Sequence, residues 1–390
     1  MTTRRTVYLD HNATTPVRPE VLEAMMPFLT EEYGNASSLH AKGRLARDAV
    51  ERARESVARL IGASPSEIVF TSGGTESVNS AIRGVFDAPA PRDRRRFVTS
   101  AVEHQAVMES ARGLEQRGFA VTAVGVDRYG RVEPDAVRRV LDESVRLVSI
   151  MHGNNEVGTM EPVAEVAALA REVGALVHTD AVQTVGKIPV LVSALGVDLL
   201  SLSGHKIGAP KGIGALYVRR GVRLEPLIVG GSQERNRRGG TENVPAIVAL
   251  GKAAELAATT LHEASARLRG LTERFVSTLR RRVDGVTVNS PGERLPGTIS
   301  LAFEGANGES LVLALDLDGI CVSTGSACAS GSMEPSHVLA AMGLSPARAR
   351  GTIRFSFGYG NDEGDIEKTA TALERILARS RHRTSALLTA

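Results

Sequence analysis

Five short apolar runs that each break off into polar residues constrain this chain more than any other feature: EIVFTSGG (67–74), RFVTSAVEH (96–104), RLVSIMHGNNE (146–156), GALVHTDAVQ (174–183) and DLLSLSGHK (198–206). Runs of this length, rich in Val, Ile, Leu and Phe and separated by helical patterns, are strands of a mostly parallel sheet covered by helices. In open sheets of that kind ligands gather beyond the carboxyl ends of the strands. The polar residues closing these strands are therefore expected to converge on one site.

The helical segments between them carry their own signals. In 48–61, DAVERARESVARLI, the residues Val50, Ala53, Val57, Leu60 and Ile61 share one face and Gly62 follows as a stop. From Glu242 to about Arg282 the pattern is one long helix, after which new strand-like runs (GVTVNS, GTISLAFE, TIRFSFG) mix with helices. This predicts a second, smaller α+β unit. The N-terminal VYLD is too short and isolated to join the first sheet and is expected to pair with the second unit. The tail RSRHRTSALLTA (379–390) lacks helical periodicity and is expected to fray.

Composition excludes several function classes. Among 390 residues, 47 Lys and Arg face 44 Asp and Glu, a formal charge of +3 that suits a small-molecule or protein partner, with no direct nucleic-acid or membrane binding. No run approaches the roughly 18 apolar residues of a membrane span, and a cytoplasmic protein is expected. The only cysteines, Cys321 and Cys328, form no CxxC pair, so neither a disulfide framework nor a zinc site is supported. Only six residues are lysine (Lys42, Lys187, Lys206, Lys211, Lys252 and Lys368), so chemistry that needs an amine has few candidates.

Lys206 closes the apolar run SLSGHK and precedes the small-residue loop IGAPKGIG, which puts its amine where a strand-end ligand belongs. The plainer reading is a turn lysine at the surface, which suits Lys211 better. Asp180 closes the preceding strand. A carboxylate there beside an amine suits pyridoxal phosphate, whose ring nitrogen must stay protonated to store electrons; a helix N-cap aspartate is the alternative. Thr71-Ser72-Gly73-Gly74-Thr75-Glu76-Ser77 lies between a strand and a helix and forms a candidate phosphate cradle, or an ordinary cap. His104 could stack on an aromatic cofactor or move protons, or be structural. Asn155 and Arg354 are groups that could hold a carboxylate. Cys328 sits in STGSACASGS, a loop without the apolar neighbours of a core thiol, whereas Cys321 in DGICVS reads as a small core residue.

Taken in order, LDHNATT, GNASSLH, TSGGTES, VEHQAV, NNEVGT, HTDAVQ, SLSGHKIGAPKGIG, RRGGTEN, STGSACASGS, EPSHVL and IRFS resemble, along nearly the whole chain, the cysteine desulfurases of the NifS/IscS type. These are class V aminotransferases within the fold-type I pyridoxal phosphate enzymes. The resemblance implies an α/β fold with a mostly parallel seven-stranded sheet in a large cofactor-binding domain (16–258) and a small α+β domain (1–15 with 259–390).

It also implies roles. Lys206 resembles the lysine that carries pyridoxal 5'-phosphate, Asp180 the pyridinium partner, Gln183 the donor to the phenolic oxygen and His104 the ring that stacks on the cofactor. Gly74, Thr75, Ser203 and His205 look like its phosphate site, completed by Thr241 from a neighbouring subunit, which implies a homodimer with shared active sites. Asn155, Arg354 and Asn35 match positions that hold the substrate carboxylate, and Cys328 matches the nucleophile that becomes a persulfide. The implied reaction converts L-cysteine to L-alanine and passes sulfur to an acceptor, such as an iron–sulfur scaffold protein or a thiolation pathway. Selenocysteine lyase chemistry on the same scaffold stays open. A cofactor-free acyl transferase using Cys328 would leave Lys206 and Asp180 unexplained. A non-catalytic adaptor would be expected to lack Lys206 or Cys328. The chain departs from the family in having His11 where Tyr or Asn is usual, and no Trp.

Overall fold

The computed structural model describes residues 5–324 and 336–388. Its strands in chain order are β1 (Val7–Tyr8), β2 (Ile68–Thr71), β3 (Arg96–Ser100), β4 (Ala120–Val124), β5 (Val145–Ser149), β6 (Leu176–Asp180), β7 (Leu199–Ser203), β8 (Gly214–Val218), β9 (Val286–Val288), β10 (Thr298–Phe303), β11 (Ile320–Cys321) and β12 (Thr352–Ser356). Seven of them form one sheet in the order β2-β8-β7-β6-β5-β3-β4. Only β8 runs against its neighbours; the other pairings in the sheet are parallel. Strands β7 and β8 are buried at every position, as a sheet covered on both faces requires. The expected mostly parallel seven-stranded sheet is what the chain forms.

Helices cover that sheet for the reasons the sequence gives. Ala41–Ile61 buries Val50, Ala53, Val57 and Ile61, and ends at Gly62, whose φ of 67° is the left-handed stop that glycine tolerates. Its neighbour Val244–Arg282 is the spine of the molecule. Residues Val244 to Ala254 pack into the core under the large sheet, and Leu268, Leu271, Phe275 and Leu279 enter a second core. One stretch of this helix is long and apolar enough to cross a membrane, with a mean hydropathy of 1.4. Its apolar face is already buried in the two cores. A search for an unbroken apolar run does not find this stretch, because Lys252 and Glu255 interrupt it.

The second core is aromatic. Phe275 meets Phe355 and Phe357 edge to face at 4.9 and 5.5 Å between ring centroids. Around it lie the antiparallel sheet β12-β10-β9 and the parallel pair β1-β11. The VYLD segment joins this unit as expected, Val7 opposite Ile320 and Tyr8 opposite Cys321, with Asp10 bridging to Ser356. Two expectations need correction. The last helix runs Glu363–Leu388, so the backbone of most of the tail is helical; Arg, Ala and Leu are good helix formers and no Gly or Pro stops them. Cys321 is only half-buried, because β11 pairs with the two-residue β1 at the rim of the unit and not with a covering sheet.

Candidate active site

The carboxyl ends of β2, β3, β5, β6 and β7 open onto one cavity of about 370 Å³, whose far wall comes from the N-terminal loop and the second unit. Gly74, Thr75, His104, Asn155, Asp180, Gln183, Ser203, His205, Lys206 and Arg354 all line it. Convergence of strand ends, expected from the apolar runs, is thus realised residue by residue.

The cradle after β2 is held open by its own hydroxyls. Thr71 Oγ1 and Ser77 Oγ lie 2.7 Å apart and within 3.2 and 3.0 Å of the Gly73 carbonyl, and their two protons are shared among these contacts, so they brace the turn from within. Gly73, at the N-cap of the helix Gly74–Asp87, contributes no side-chain cap, and the positive end of that helix faces the cavity. Packing sets the glycines. A Cβ on Gly74 would lie 2.8 Å from Val182 Cγ2, and one on Gly214 of β8 would lie 2.7 Å from the Gly73 Cα. Glu76 in the first turn accepts from the Ser72 amide (2.8 Å) and from Arg238 Nε (3.0 Å), which straps the 237–243 segment to the cradle.

His104 caps the helix Gln105–Gln116. Its Nδ1 accepts from the Ala106 amide at 3.1 Å, so the neutral ring carries its proton on Nε2. Asp180, 6% exposed, accepts from the Val182 amide at 2.9 Å; burial raises its pKa while His104 and Lys206 oppose the rise. Beneath it His178 bridges Ser149 and Ser201 at 2.8 and 2.9 Å, and burial holds it neutral with a pKa of about 3. His205 meets Thr14 Oγ1 at 3.1 Å, its pKa lowered to about 4 by burial and then by Lys206 and Lys211. Lys206 Nζ donates to the carbonyls of Asn12 and Ala13. Lys211 is exposed in its turn.

Arg354 enters from β12. It is 2% exposed, donates Nη2 to Asp10 Oδ1 at 2.7 Å and Nη1 to the Asn155 carbonyl at 3.1 Å, and so stands beside Asn155 at the cavity wall. The segment that contains Cys328 lies outside the described residues, but both of its flanks are tied to this wall. Ser323 exchanges backbone hydrogen bonds with Arg354 (2.7 and 3.3 Å). Ser336 Oγ donates to Glu156 Oε2 at 2.5 Å, and His337 Nε2 meets the Glu103 carbonyl at 2.9 Å.

Two of the sequence candidates are not brought to this cavity: Asn35 is exposed, with Oδ1 taken by the Ser37 amide at 2.8 Å, and Thr241 is exposed on the 237–243 segment. Sequence reasoning in turn misses Asn12, Glu103, Lys187 and His337, while Glu156, next to Asn155 in the same strand-end run, does line the cavity. Asn12 and His337 lie within the motifs LDHNATT and EPSHVL, which are the available signal. Glu103 accepts from Ser100 Oγ and the Met151 amide at 2.7 and 2.9 Å, and burial pushes its pKa up to about 8, so it is a neutral acid near pH 7.

A half-buried amine, a buried carboxylate, an open helix N-terminus and a guanidinium on one cavity at the strand ends of a doubly wound sheet define an enzyme site for a small anionic substrate. The chain belongs to the aminotransferase class-V family, whose model matches residues 7–369. It is 51% identical over 379 residues to the cysteine desulfurase IscS of Dictyoglomus turgidum, covering 97% of this chain and 96% of that one. Among solved structures it is similar to a NifS-like protein (TM-score 0.90, 42% identity, 96% of this chain and all of that one). It is also similar to SspA in complex with cysteine (TM-score 0.81, 38% identity, 90% and 99% covered).

Proposed function

We propose that this chain is a pyridoxal-phosphate-dependent cysteine desulfurase, which takes sulfur from L-cysteine onto Cys328 and releases L-alanine. The observation that carries the reading is the convergence of Lys206, Asp180, Asn155 and Arg354 on one cavity whose wall anchors both flanks of the Cys328 segment.

The residues present fit the cofactor. Gly74, Thr75, Ser203 and His205 line a cradle at a helix N-terminus suited to its phosphate, with the cradle closed by Val182 where a Cβ on Gly74 would intrude. Asp180 is a buried carboxylate suited to a pyridinium, Gln183 Nε2 is a donor suited to the phenolic oxygen, and His104 offers a ring at the cavity wall. Once bound, pyridoxal phosphate supplies an electron sink for the charge that develops at the substrate Cα. Lys206 Nζ anchors it and moves the Cα proton. Arg354 and Asn155 hold the substrate carboxylate, the guanidinium being already aimed by Asp10. The Cys328 thiolate attacks the substrate sulfur. As the new S–S bond forms, the Cβ–S bond breaks, and the carbon keeps the electron pair and takes a proton to become the methyl group of alanine. Cys328 stands four residues beyond Thr324, which a chain spans in at most about 14 Å.

A homodimer belongs to the same reading. Leu22, Met26 and Leu29 recur on one face of the helix Pro19–Thr30 and are 50%, 43% and 54% exposed, with Tyr33, Leu39 and Val229 at 77%, 85% and 82%. A surface this apolar suits a second copy, and exposed Thr241 is then available to a neighbouring phosphate site. The division into 16–258 and 1–15 with 259–390 follows the two largest cores, with Val338, Leu339 and Met342 packed across it against Val102, Met151 and Val157. Work in a reducing cytoplasm suits the free thiol of Cys321, and the persulfide is passed to an acceptor protein of iron–sulfur assembly or thiolation. The test is mass spectrometry after one turnover with L-cysteine. The Cys328 peptide is expected to gain one sulfur atom, and Cys328→Ser to gain none while keeping the cofactor absorbance; sulfur on Cys321 alone would overturn the assignment.

A further inference from the structure

Lys187 is the buried amine the proposed reaction does not use. It does not line the cavity, yet its Nζ donates to Asn12 Oδ1 at 2.8 Å and to Gln183 Oε1 at 3.0 Å. Both acceptors are residues of the cavity wall. We propose that Lys187 is a positioning residue that sets the orientation of the Gln183 and Asn12 carboxamides from behind the site, so that the Gln183 N–H2 group faces the place of the cofactor.

A carboxamide has two nearly isosteric ends, and only its partners decide which way it points. For Asn12 the Nδ2 end is engaged by the Asn155 carbonyl and Thr298 Oγ1, both at 3.0 Å. For Gln183 the Nε2 end donates to the Asn12 carbonyl at 2.9 Å. The two oxygen ends are thereby turned toward one amine. A lysine ammonium can only donate and so rejects the flipped amides; a neutral amine still carries the two N–H groups this pair needs. Burial, then the charges of Lys206 and Arg354, bring the amine to a pKa of about 7, which agrees with an amine held close to the site's cations by its acceptors.

The turn that delivers Lys187 is built for the purpose. Gly186 has a φ of 77°, and a Cβ there would lie 2.6 Å from Ile207 Cγ2, the residue after Lys206. The loop therefore packs directly against the segment that carries the proposed cofactor lysine. Asn12 links the two amines, its side-chain oxygen serving Lys187 and its backbone oxygen serving Lys206 and Gln183. Without Lys187, two buried carbonyl oxygens would converge with no donor between them, and rotation of the Gln183 amide is the simplest relief. That rotation puts an oxygen where a donor is wanted.

The inference rests on the pyridoxal phosphate reading, and its test separates the two. Lys187→Met is compared with Lys187→Arg, which keeps a donor, and with Lys187→Met placed on Gln183→Ala. The expected result is about 10–100-fold weaker retention of pyridoxal phosphate in Lys187→Met, with a shifted pH midpoint of the bound cofactor's absorbance. Lys187→Arg is expected to restore much of it, and Lys187→Met to have a much smaller effect once Gln183 is alanine, since only the Asn12 contact is then left to lose. An unshifted midpoint, or an effect of equal size in the Gln183→Ala background, would overturn the proposal. If the wild-type protein bound no pyridoxal phosphate the functional reading would fail, and crystal structures of apo wild type and Lys187→Met would still decide this one. Displaced Gln183 or Asn12 amides support it, and unchanged amides in the variant overturn it.

Discussion

Arg54 and Arg354 make the same kind of contact in two regions of the molecule and put it to different use. Each is nearly buried, with side chains 4% and 2% exposed, and each is paired with a carboxylate at 2.7 Å. Arg54 gives both Nη atoms to Glu234, whose Oε2 also accepts from the Phe70 amide at 2.9 Å. Glu234 opens a run of three left-handed residues, Glu234, Arg235 and Asn236, with φ of 46°, 57° and 63°. Such a run costs about 1–2 kcal/mol per residue and persists only where its surroundings over-determine it. Arg354 instead commits one Nη to Asp10 and the other to a backbone carbonyl at the rim of a cavity. Burial and ion pairing are therefore no mark of a site by themselves. The mark is an ion pair whose cation lines a cavity shared with the other candidate site residues.

The largest expected effect breaks the first pair. Arg54→Met leaves Glu234 charged and buried, and about 3–5 kcal/mol of stability should be lost, read from the urea midpoint at constant m. Adding Glu234→Gln should recover only part of this, because the left-handed run has lost its anchor; full recovery would reduce the pair to simple charge compensation. Next, Arg354→Lys keeps a charge for Asp10 but loses the planar fork. A fall of about 10–100-fold in kcat/KM for L-cysteine is expected, carried mostly by KM, with little change in the unfolding midpoint. An unchanged KM would remove Arg354 from substrate binding. Ser336→Ala leaves Glu156 Oε2 without its donor and should cost about 1–3 kcal/mol, seen as a lower Tm.

Glu103 sharpens the comparison from the other side, being a buried carboxyl that bonds a hydroxyl and an amide and no arginine. Its folded pKa is about 8 against an ordinary 4.5, so the folded state holds the proton more tightly than the unfolded chain. Its contribution is then fully present below pH 4.5 and is lost as pH rises through 8. Glu103→Gln is expected to flatten the decline of Tm across that window. An identical Tm–pH curve would show that Glu103 is ionised in the fold.

Legibility in the sequence follows the same divide. Strand ends obey a local rule, so the amino-acid pattern alone places Asp180, Ser203, His205, Lys206 and the Gly73–Gly74 cradle on one site. The opposite wall has no local rule. Asn12 reaches Lys206 across 194 residues of sequence separation, and Ser336 reaches Glu156 across 180. Lys187, in TVGKIP, is in the sequence only one of six lysines; its place behind the site is decided by the fit of Gly186 against Ile207. Thr241 and Asn35 are exposed in the single chain, so only a family resemblance could nominate them. The tail escapes a search for periodicity because propensity alone suffices to make it helical.

In the proposed reaction this cavity removes sulfur from L-cysteine. The most direct test is the alanine and sulfide formed from L-cysteine by the purified, pyridoxal-phosphate-loaded protein with dithiothreitol present. Equal amounts of the two products, abolished in Lys206→Ala, are the expected result; no alanine from protein whose cofactor absorbance is intact would contradict it.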